Sequence, residues 1–253
     1  MLFFRTFAVT LLLAGSAHAE TIRVAAAISL KESLASIAKG FKSDTGDDLE
    51  FTFGSSGQLQ TQIQNGADVD VFISAANKQV DDLSKAKLVD DTTRRVVVMN
   101  SLVLIVPADA KEAPTGFADL TNANVAKVAV GEPKSVPAGQ YAAQVFKKLN
   151  LDAALSERLV YGTNVRQVLT YVEQGEVSAG VVYATDAKAS GEKVKVVATA
   201  DPSWHEPIVY PAVVLSASKH GEVAKKLLDY LSSEKARAAF VAAGFVVPEA
   251  AGK

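Results

Sequence analysis

The sequence predicts an α/β fold with two lobes, each a mainly parallel sheet flanked by helices, and a ligand cleft between them. After residue 20, short apolar runs alternate with segments of helical periodicity, which is typical of parallel sheets wrapped by helices. The 253 residues, 49% of them hydrophobic, suffice for one large domain or two smaller ones. No long Pro/Gly/Ser linker separates two consecutive domains, which favours a second lobe inserted into the first.

The first residues have the pattern of a secretory signal peptide. Arg5 precedes an apolar stretch at 7–14, and Ala17 and Ala19 form a small-x-small cleavage site. We therefore expect residues 1–19 to be removed and residues 20–253 to form a soluble protein in the periplasm. No cysteine is present at the new N-terminus to carry a lipid anchor.

The segments that follow predict the first round of strands and helices. The predicted strands are 21–27, 49–53 and 69–74, and the predicted helices run from 30 to near 46, from 58 to 64 and from about 78 to 87. In the first helix, Leu30, Leu34, Ile37 and Phe41 recur at helical spacing.

A second round follows Asn100 and Ser101. The predicted strands are 102–106, 125–130, 159–161, 179–183, 194–197 and 208–215. The predicted helices open at 137–139 and at 165, and two more, 223–231 and 235–243, close the chain. Extended segments near 101–106 and 210–215 would carry the chain to the second lobe and back. This predicts a discontinuous first lobe of 20–102 plus 215–253, with 103–214 as the second.

Composition excludes several classes of function. Lys and Arg number 26 against 28 Asp and Glu, a net charge of −2, and no run of five like charges occurs, which disfavours a nucleic-acid partner. The absence of cysteine excludes disulfides, thiolate metal sites and cysteine nucleophiles.

Evidence for catalysis is weak. Only His205 and His220 remain beyond the leader as bases, and the GSSG at 54–57 is not the G-x-S-x-G nucleophile elbow. The P-loop and G-x-G-x-x-G motifs are absent. Asp68 and Asp70 are interpreted as loop or strand-end carboxylates instead of metal ligands. A secreted hydrolase stays open as an alternative.

Four positions share one context, the opening of a predicted helix, and two of them are serines that follow a predicted strand. They are Ser29, Ser56, Ala138 and Val165, and both intervals are equal, 56 − 29 = 27 and 165 − 138 = 27. Helix N-termini expose unpaired N–H groups and partial positive charge, so several that converge would bind an anion without Lys or Arg. The alternative is that Ser29 and Ser56 are plain N-caps.

With these residues in view, the chain resembles the periplasmic molybdate-binding proteins of ABC transporters over nearly its whole length after the leader. The matching segments are AAAISL at 25–30, FGSSG at 53–57, ADVDVFISA at 67–75, NSLV at 100–103, VAVGEP at 128–133, VPAGQY at 136–141, NVR at 164–166 and GVVY at 180–183. The resemblance implies the periplasmic-binding-protein fold and a ligand held by five residues. These are the hydroxyls and N–H groups of Ser29 and Ser56, the N–H groups of Ala138 and Val165, and the Tyr183 hydroxyl.

The resemblance further implies a receptor that performs no reaction, needs no cofactor and takes up molybdenum only as the oxyanion. It would bind molybdate and tungstate, act as a monomer and deliver its ligand to a membrane permease. The chain departs from the family's common pattern at Ile28 and Lys31, around the first serine, and at Gly57, where a further serine is common. Without the resemblance, the better interpretation of Tyr183 is an aromatic side chain that packs on the core at a strand end.

Two other receptor classes are alternatives. A sulfate or phosphate receptor is the near alternative, but protonated phosphate needs an acceptor, and none of the five implied contacts is a carboxylate. A ferric-ion receptor would need clustered tyrosines, and the six tyrosines include no adjacent pair.

Overall fold

The computed structural model describes residues 19–249. The predicted signal peptide, except for Ala19, lies outside the described residues. Between residues 19 and 249, no helix combines the length and the apolar character required to cross a membrane.

Ten strands and nine helices make up the described part of the chain. The strands are β1 (Thr21–Ala27), β2 (Asp48–Gly54), β3 (Val71–Ile73), β4 (Val89–Met99), β5 (Leu102–Pro107), β6 (Val128–Gly131), β7 (Leu159–Gly162), β8 (Ala179–Tyr183), β9 (Val194–Thr199) and β10 (Val209–Leu215). The helices are α1 (Lys31–Thr45), α2 (Ser56–Gln64), α3 (Asn77–Lys85), α4 (Pro137–Lys148), α5 (Asp152–Leu155), α6 (Val165–Glu173), α7 (Ala184–Ser190), α8 (Gly221–Leu231) and α9 (Glu234–Ala243).

The strands form two five-stranded sheets with the same plan. The order is β2-β1-β3-β10-β4 in the first sheet and β7-β6-β8-β5-β9 in the second. In each sheet four strands run in one direction, and the fourth position holds a reversed strand, β10 or β5. The prediction of two mainly parallel sheets flanked by helices is therefore confirmed.

Each reversed strand follows directly on a crossing between the sheets. The chain leaves the first sheet after β4 and enters the second as β5, then leaves after β9 and returns as β10. The return comes earlier than the predicted boundary at residue 215, because β10 pairs with both β3 and β4 of the first sheet. Residues 209–214 therefore belong to the first sheet and not to the second lobe. The predicted strand at 208–215 is confirmed as β10, but local sequence does not specify which strands it pairs with.

Three elements were missed by the sequence patterns. Strand β4 begins VDDTTRR, which offers no apolar run because it lies at a sheet edge and half of it faces solvent. Helices α5 and α7 have only four and seven residues, too few for a helical period to repeat reliably.

Helix α1 shows how local sequence places the first lobe's wall. It ends at Gly46, whose φ of 82° is the left-handed conformation that glycine adopts without steric cost. Its inner face buries Leu34, Ile37 and Phe41 against the sheet. That packing holds α1 in place, and with it the segment just before α1, which carries Ser29.

Candidate functional site

All five residues predicted for the site line one cavity between the lobes. The space open to the centre of a water-sized molecule is about 10 Å³. Ser29 and Ser56 reach it from the first lobe, together with Ser55 and Ala75, whereas Ala138, Val165 and Tyr183 reach it from the second. The structure thus brings together residues up to 154 positions apart (183 − 29) in the chain.

Ser55 and Ser56 have different roles at the start of α2. Ser55 is the N-cap, and its Oγ accepts a hydrogen bond of 3.3 Å from the N–H of Gln58. The Oγ of Ser56 instead accepts a bond of 2.9 Å from the N–H of Ala75. This bond uses a lone pair and leaves the hydroxyl hydrogen of Ser56 to donate into the cavity. The alternative that Ser56 is a plain N-cap is wrong.

Ser29 lies in a short 3-10 turn, residues 28–30, that precedes α1, and its side chain makes no capping bond. Its Oγ lies 2.9 Å from the hydroxyl oxygen of Tyr210, which also accepts a bond of 3.3 Å from the amide of Asn100. Tyr210 can therefore donate its hydrogen to Ser29, which leaves the Ser29 hydrogen directed to another acceptor. The plain N-cap alternative is wrong for Ser29 as well.

Ala138 and Val165 present backbone groups at the starts of α4 and α6. Pro137 is the first residue of α4 and has no N–H, so Ala138 carries the first N–H that this helix offers. Val165 is the first residue of α6, and the Asn164 side chain caps that helix by accepting from the N–H of Gln167 at 3.0 Å. Because the first N–H groups of a helix have no partner within it, both are available to the cavity.

Tyr183 contributes a buried hydroxyl that has no hydrogen-bond partner among the described residues. Its side chain is 1% exposed and lies at the end of β8. Burial raises the pKa of Tyr183 well above its usual range, with a smaller contribution from Tyr210, so the phenol stays neutral and can donate. A buried hydroxyl without a partner lowers the stability of the protein. We therefore infer that this hydroxyl donates to an acceptor on a bound ligand.

Among residues 19–249, the cavity is lined by hydroxyl and backbone N–H donors and by no charged side chain. Its twelve residues are Ala27, Ile28, Ser29, Gly54, Ser55, Ser56, Ala75, Val136, Pro137, Ala138, Val165 and Tyr183. A group that enters must therefore bring acceptors, and a group with a hydrogen of its own would find no carboxylate to receive it.

Sequence patterns missed the residues that support this wall. Asn100, Tyr210 and Ala75 do not bear the proposed contacts themselves but orient Ser29 and Ser56. Asn100 and Ala75 lie inside segments that carry the resemblance, and that resemblance was the signal by which they could have been found. Tyr210 had none, because it approaches Ser29 across 181 residues of chain.

The groups weighed for catalysis or metal binding lie elsewhere. The Nδ1 of His220 is 2.8 Å from the carboxylate of Glu20, and that of His205 is 2.7 Å from the carbonyl oxygen of Glu206, so neither nitrogen meets a serine hydroxyl. Asp70 accepts from the N–H of Arg23 at 2.8 Å, and Asp68 pairs with the Arg23 guanidinium. Within residues 19–249 there is no cluster of three or more His, Asp or Glu that could hold a metal ion.

Comparison with known proteins agrees with this geometry. The chain is 38% identical over 228 residues to the molybdate-binding protein ModA of Haemophilus influenzae, covering 88% of this chain and 89% of the relative. It is 37% identical over 246 residues to ModA of Escherichia coli, covering 95% of each. The solved periplasmic molybdate-binding protein of Azotobacter vinelandii superposes with a TM-score of 0.80 at 26% identity, covering 90% of this chain and all of that one.

The match to a family extends over nearly all of the described chain. Residues 22–246 match the family described as bacterial extracellular solute-binding protein. Members of this family are transport receptors and not enzymes, which removes the hydrolase alternative. By this match and by the two-sheet fold, the chain belongs to the bacterial extracellular solute-binding proteins.

Proposed function

We propose that this chain is the receptor of a molybdate ABC transporter, which binds molybdate between its lobes and delivers it to a membrane permease. The observation that carries the proposal is the cavity itself, where donor groups of five residues converge from both lobes and, among the described residues, no carboxylate lines the wall. The relatives named as molybdate-binding proteins support the choice of ligand.

In this proposal each of the five residues donates to an oxygen of the ligand. Ser29 and Ser56 donate through their hydroxyls and backbone N–H groups, and Tyr183 donates through its hydroxyl. Ala138 and Val165 donate through backbone N–H groups at helix starts. A tetrahedral dianion has four acceptor oxygens and no hydrogen, so it matches this wall. Each hydrogen bond to a charged group contributes about 1.5–3 kcal/mol.

The same wall disfavours phosphate. Near neutral pH phosphate keeps a proton, and the described wall has no carboxylate to accept it. Sulfate carries the same charge and shape as molybdate with shorter bonds, so only the size of the closed cavity can exclude it. Tungstate is close to molybdate in size, and we expect it to bind as well.

Thermal unfolding of residues 20–253, freed of bound anion, tests the ligand. Molybdate, tungstate, sulfate and phosphate are added separately. A ligand at a thousand times its dissociation constant stabilises by about 4 kcal/mol, and each kcal/mol raises the midpoint by roughly 2–4 °C at this size. We expect a shift of about 10 °C with molybdate and tungstate and little with the others. Equal shifts with sulfate would refute selection by size, and no shift with any oxyanion would refute the proposed ligand.

The remaining parts of the proposal concern location and partners. We propose that the leader directs the protein to the periplasm, where it acts as a monomer and meets the permease in its closed form. Mass spectrometry of the exported protein tests cleavage after Ala19. Light scattering at micromolar concentration tests the monomer, and a dimer that persists on dilution would contradict it.

A further inference from the structure

An ion pair crosses the cleft beside the cavity. Glu32 lies on α1 of the first lobe, and Arg166 lies on α6 of the second. The two guanidinium Nη atoms meet the two carboxylate oxygens of Glu32 at 3.0 and 2.6 Å. This paired arrangement is the strongest geometry that Arg and a carboxylate form, and it fixes the relative orientation of the two helices.

A buried carboxylate holds Arg166 from the other side. The Nε of Arg166 lies 2.6 Å from an Oδ of Asp186 on α7, and Asp186 is fully buried. An unpaired buried charge is costly, so this contact within the second lobe persists when the lobes separate. The side chain of Glu32 is 53% exposed and returns to water at little cost. The triad therefore has a fixed half, Arg166 and Asp186, and a releasable member, Glu32.

The three charged residues adjoin three of the five residues proposed to bind the ligand. Glu32 follows Ser29 by three positions, Arg166 follows Val165 directly, and Asp186 follows Tyr183 by three. Each charged side chain thus lies within one helical turn of a donor group.

We propose that Arg166 is a positioning residue for oxyanion binding and that its pair with Glu32 is a releasable latch between the lobes. This inference rests on the proposed function. Arg166 does not line the cavity, and two carboxylates offset its charge, so it does not bind the anion directly. Closing the latch brings Ser29 of the first lobe into register with Val165 and Tyr183 of the second.

The test compares Glu32→Gln with Asp229→Asn. Asp229 on α8 pairs with Arg95 on β4 at 2.6 Å, but both lie in the first lobe, so its loss is the matched control. For Glu32→Gln we expect the molybdate dissociation constant to rise about three- to tenfold, mainly through faster release. The difference in molybdate dissociation constant between Glu32→Gln and the parent protein should become smaller as the salt concentration is raised. Asp229→Asn should change neither quantity.

Three further readouts separate positioning from a merely structural role. The unfolding midpoint of Glu32→Gln without ligand should equal that of the parent, because Glu32 is half exposed. Arg166→Lys keeps the charge but loses the paired geometry, so its affinity should fall between those of the parent and of Glu32→Gln. Wild-type affinity and release rate in Glu32→Gln would overturn the latch.

The last readout does not depend on the ligand. Because the chain has no cysteine, spin labels can be placed through Lys39→Cys on α1 and Gln174→Cys at the end of α6, both exposed. Without oxyanion, Glu32→Gln should shift the label distances toward a longer, open population. An unchanged distribution would overturn the latch even if another ligand replaces molybdate. A shift without molybdate binding would sustain the latch and refute the proposed ligand.

Discussion

Tyr183 and Tyr210 pack edge to face, with ring centroids 5.9 Å apart, yet among the described residues only the Tyr210 hydroxyl has hydrogen-bond partners. Both side chains are buried, and one comes from each sheet. In the first lobe, the hydroxyl of Tyr210 therefore has hydrogen-bond partners in Ser29 and Asn100. In the second lobe, the hydroxyl of Tyr183 is left as an unused donor at the cavity.

This difference predicts opposite effects for two Tyr→Phe substitutions. Tyr183→Phe should leave the ligand-free protein equally stable or more stable, because it removes a buried hydroxyl without a partner. Its affinity for molybdate should fall by about tenfold or more, since a bond to a charged acceptor is lost. Tyr210→Phe should lower the ligand-free unfolding midpoint. Thermal unfolding and calorimetry measure both, and a ligand-free destabilisation by Tyr183→Phe would contradict the assignment.

The adjacent serines predict a second contrast. Ser56→Ala should weaken molybdate binding by about ten- to a hundredfold, because it removes a hydroxyl donor to the dianion. Ser55→Ala removes the N-cap of α2 and should cost about 0.5–2 kcal/mol of stability. Calorimetry and chemical denaturation of both variants separate the two effects. If Ser55→Ala weakened binding more than Ser56→Ala, the assignment of the binding serine would be reversed.

Gly57 predicts a steric limit on closure. Its N–H donates to the carbonyl oxygen of Ser135 across the cleft at 2.9 Å, and an added Cβ would lie 2.5 Å from that oxygen. These are backbone atoms of Ser135, so no side-chain rotation relieves the overlap. Gly57→Ala should therefore hold the lobes apart and reduce affinity by about 1–3 kcal/mol.

The control for this prediction is Gly221→Ala at the start of α8, where an added Cβ meets nothing within 4 Å. The ligand-free stability of Gly57→Ala should not fall, because the substitution favours helix α2. Calorimetry on both variants measures the affinities. Wild-type affinity in Gly57→Ala would show that the contact with Ser135 can open without loss of the site.

Asp186 predicts a pH dependence of stability with a defined sign. Burial raises its pKa to about 6, opposed by the nearby charge of Arg166. An unfolded Asp titrates near pH ~3.9, so between about pH 4 and 6 the folded protein binds the proton more tightly. The contribution of this group is fully present below that window and is lost as the pH rises through about 6.

Unfolding midpoints of the ligand-free parent and of Asp186→Asn, measured from pH 4 to 7.5, test this sign. The other carboxylates are common to both proteins and cancel in the difference. The parent should lose stability relative to Asp186→Asn as the pH rises. A difference that grows in the parent's favour would mean that Arg166 lowers the pKa of Asp186 more than burial raises it.

The sequence by itself determined the fold class and the local setting of the site. Alternating apolar runs and helical periods are local properties, so the two mainly parallel sheets were predictable. The junctions at Ser29, Ser56, Ala138 and Val165 were visible because a strand-to-helix change needs only a few residues. Strand β4 was missed because its first seven residues, VDDTTRR, lie at a sheet edge with one face in solvent and carry no apolar run.

Only the tertiary structure decided which groups meet. Tyr210 reaches Ser29 across 181 residues, and Arg166 reaches Glu32 across 134. The return to the first sheet at β10 and the approach of Gly57 to Ser135 were equally hidden. Such contacts depend on how the two sheets pack and on which strands pair, and neither produces a periodic pattern in the sequence. The local sequence therefore indicated which residues could donate hydrogen bonds at the site, whereas long-range packing decided how these residues are oriented and how the two lobes close.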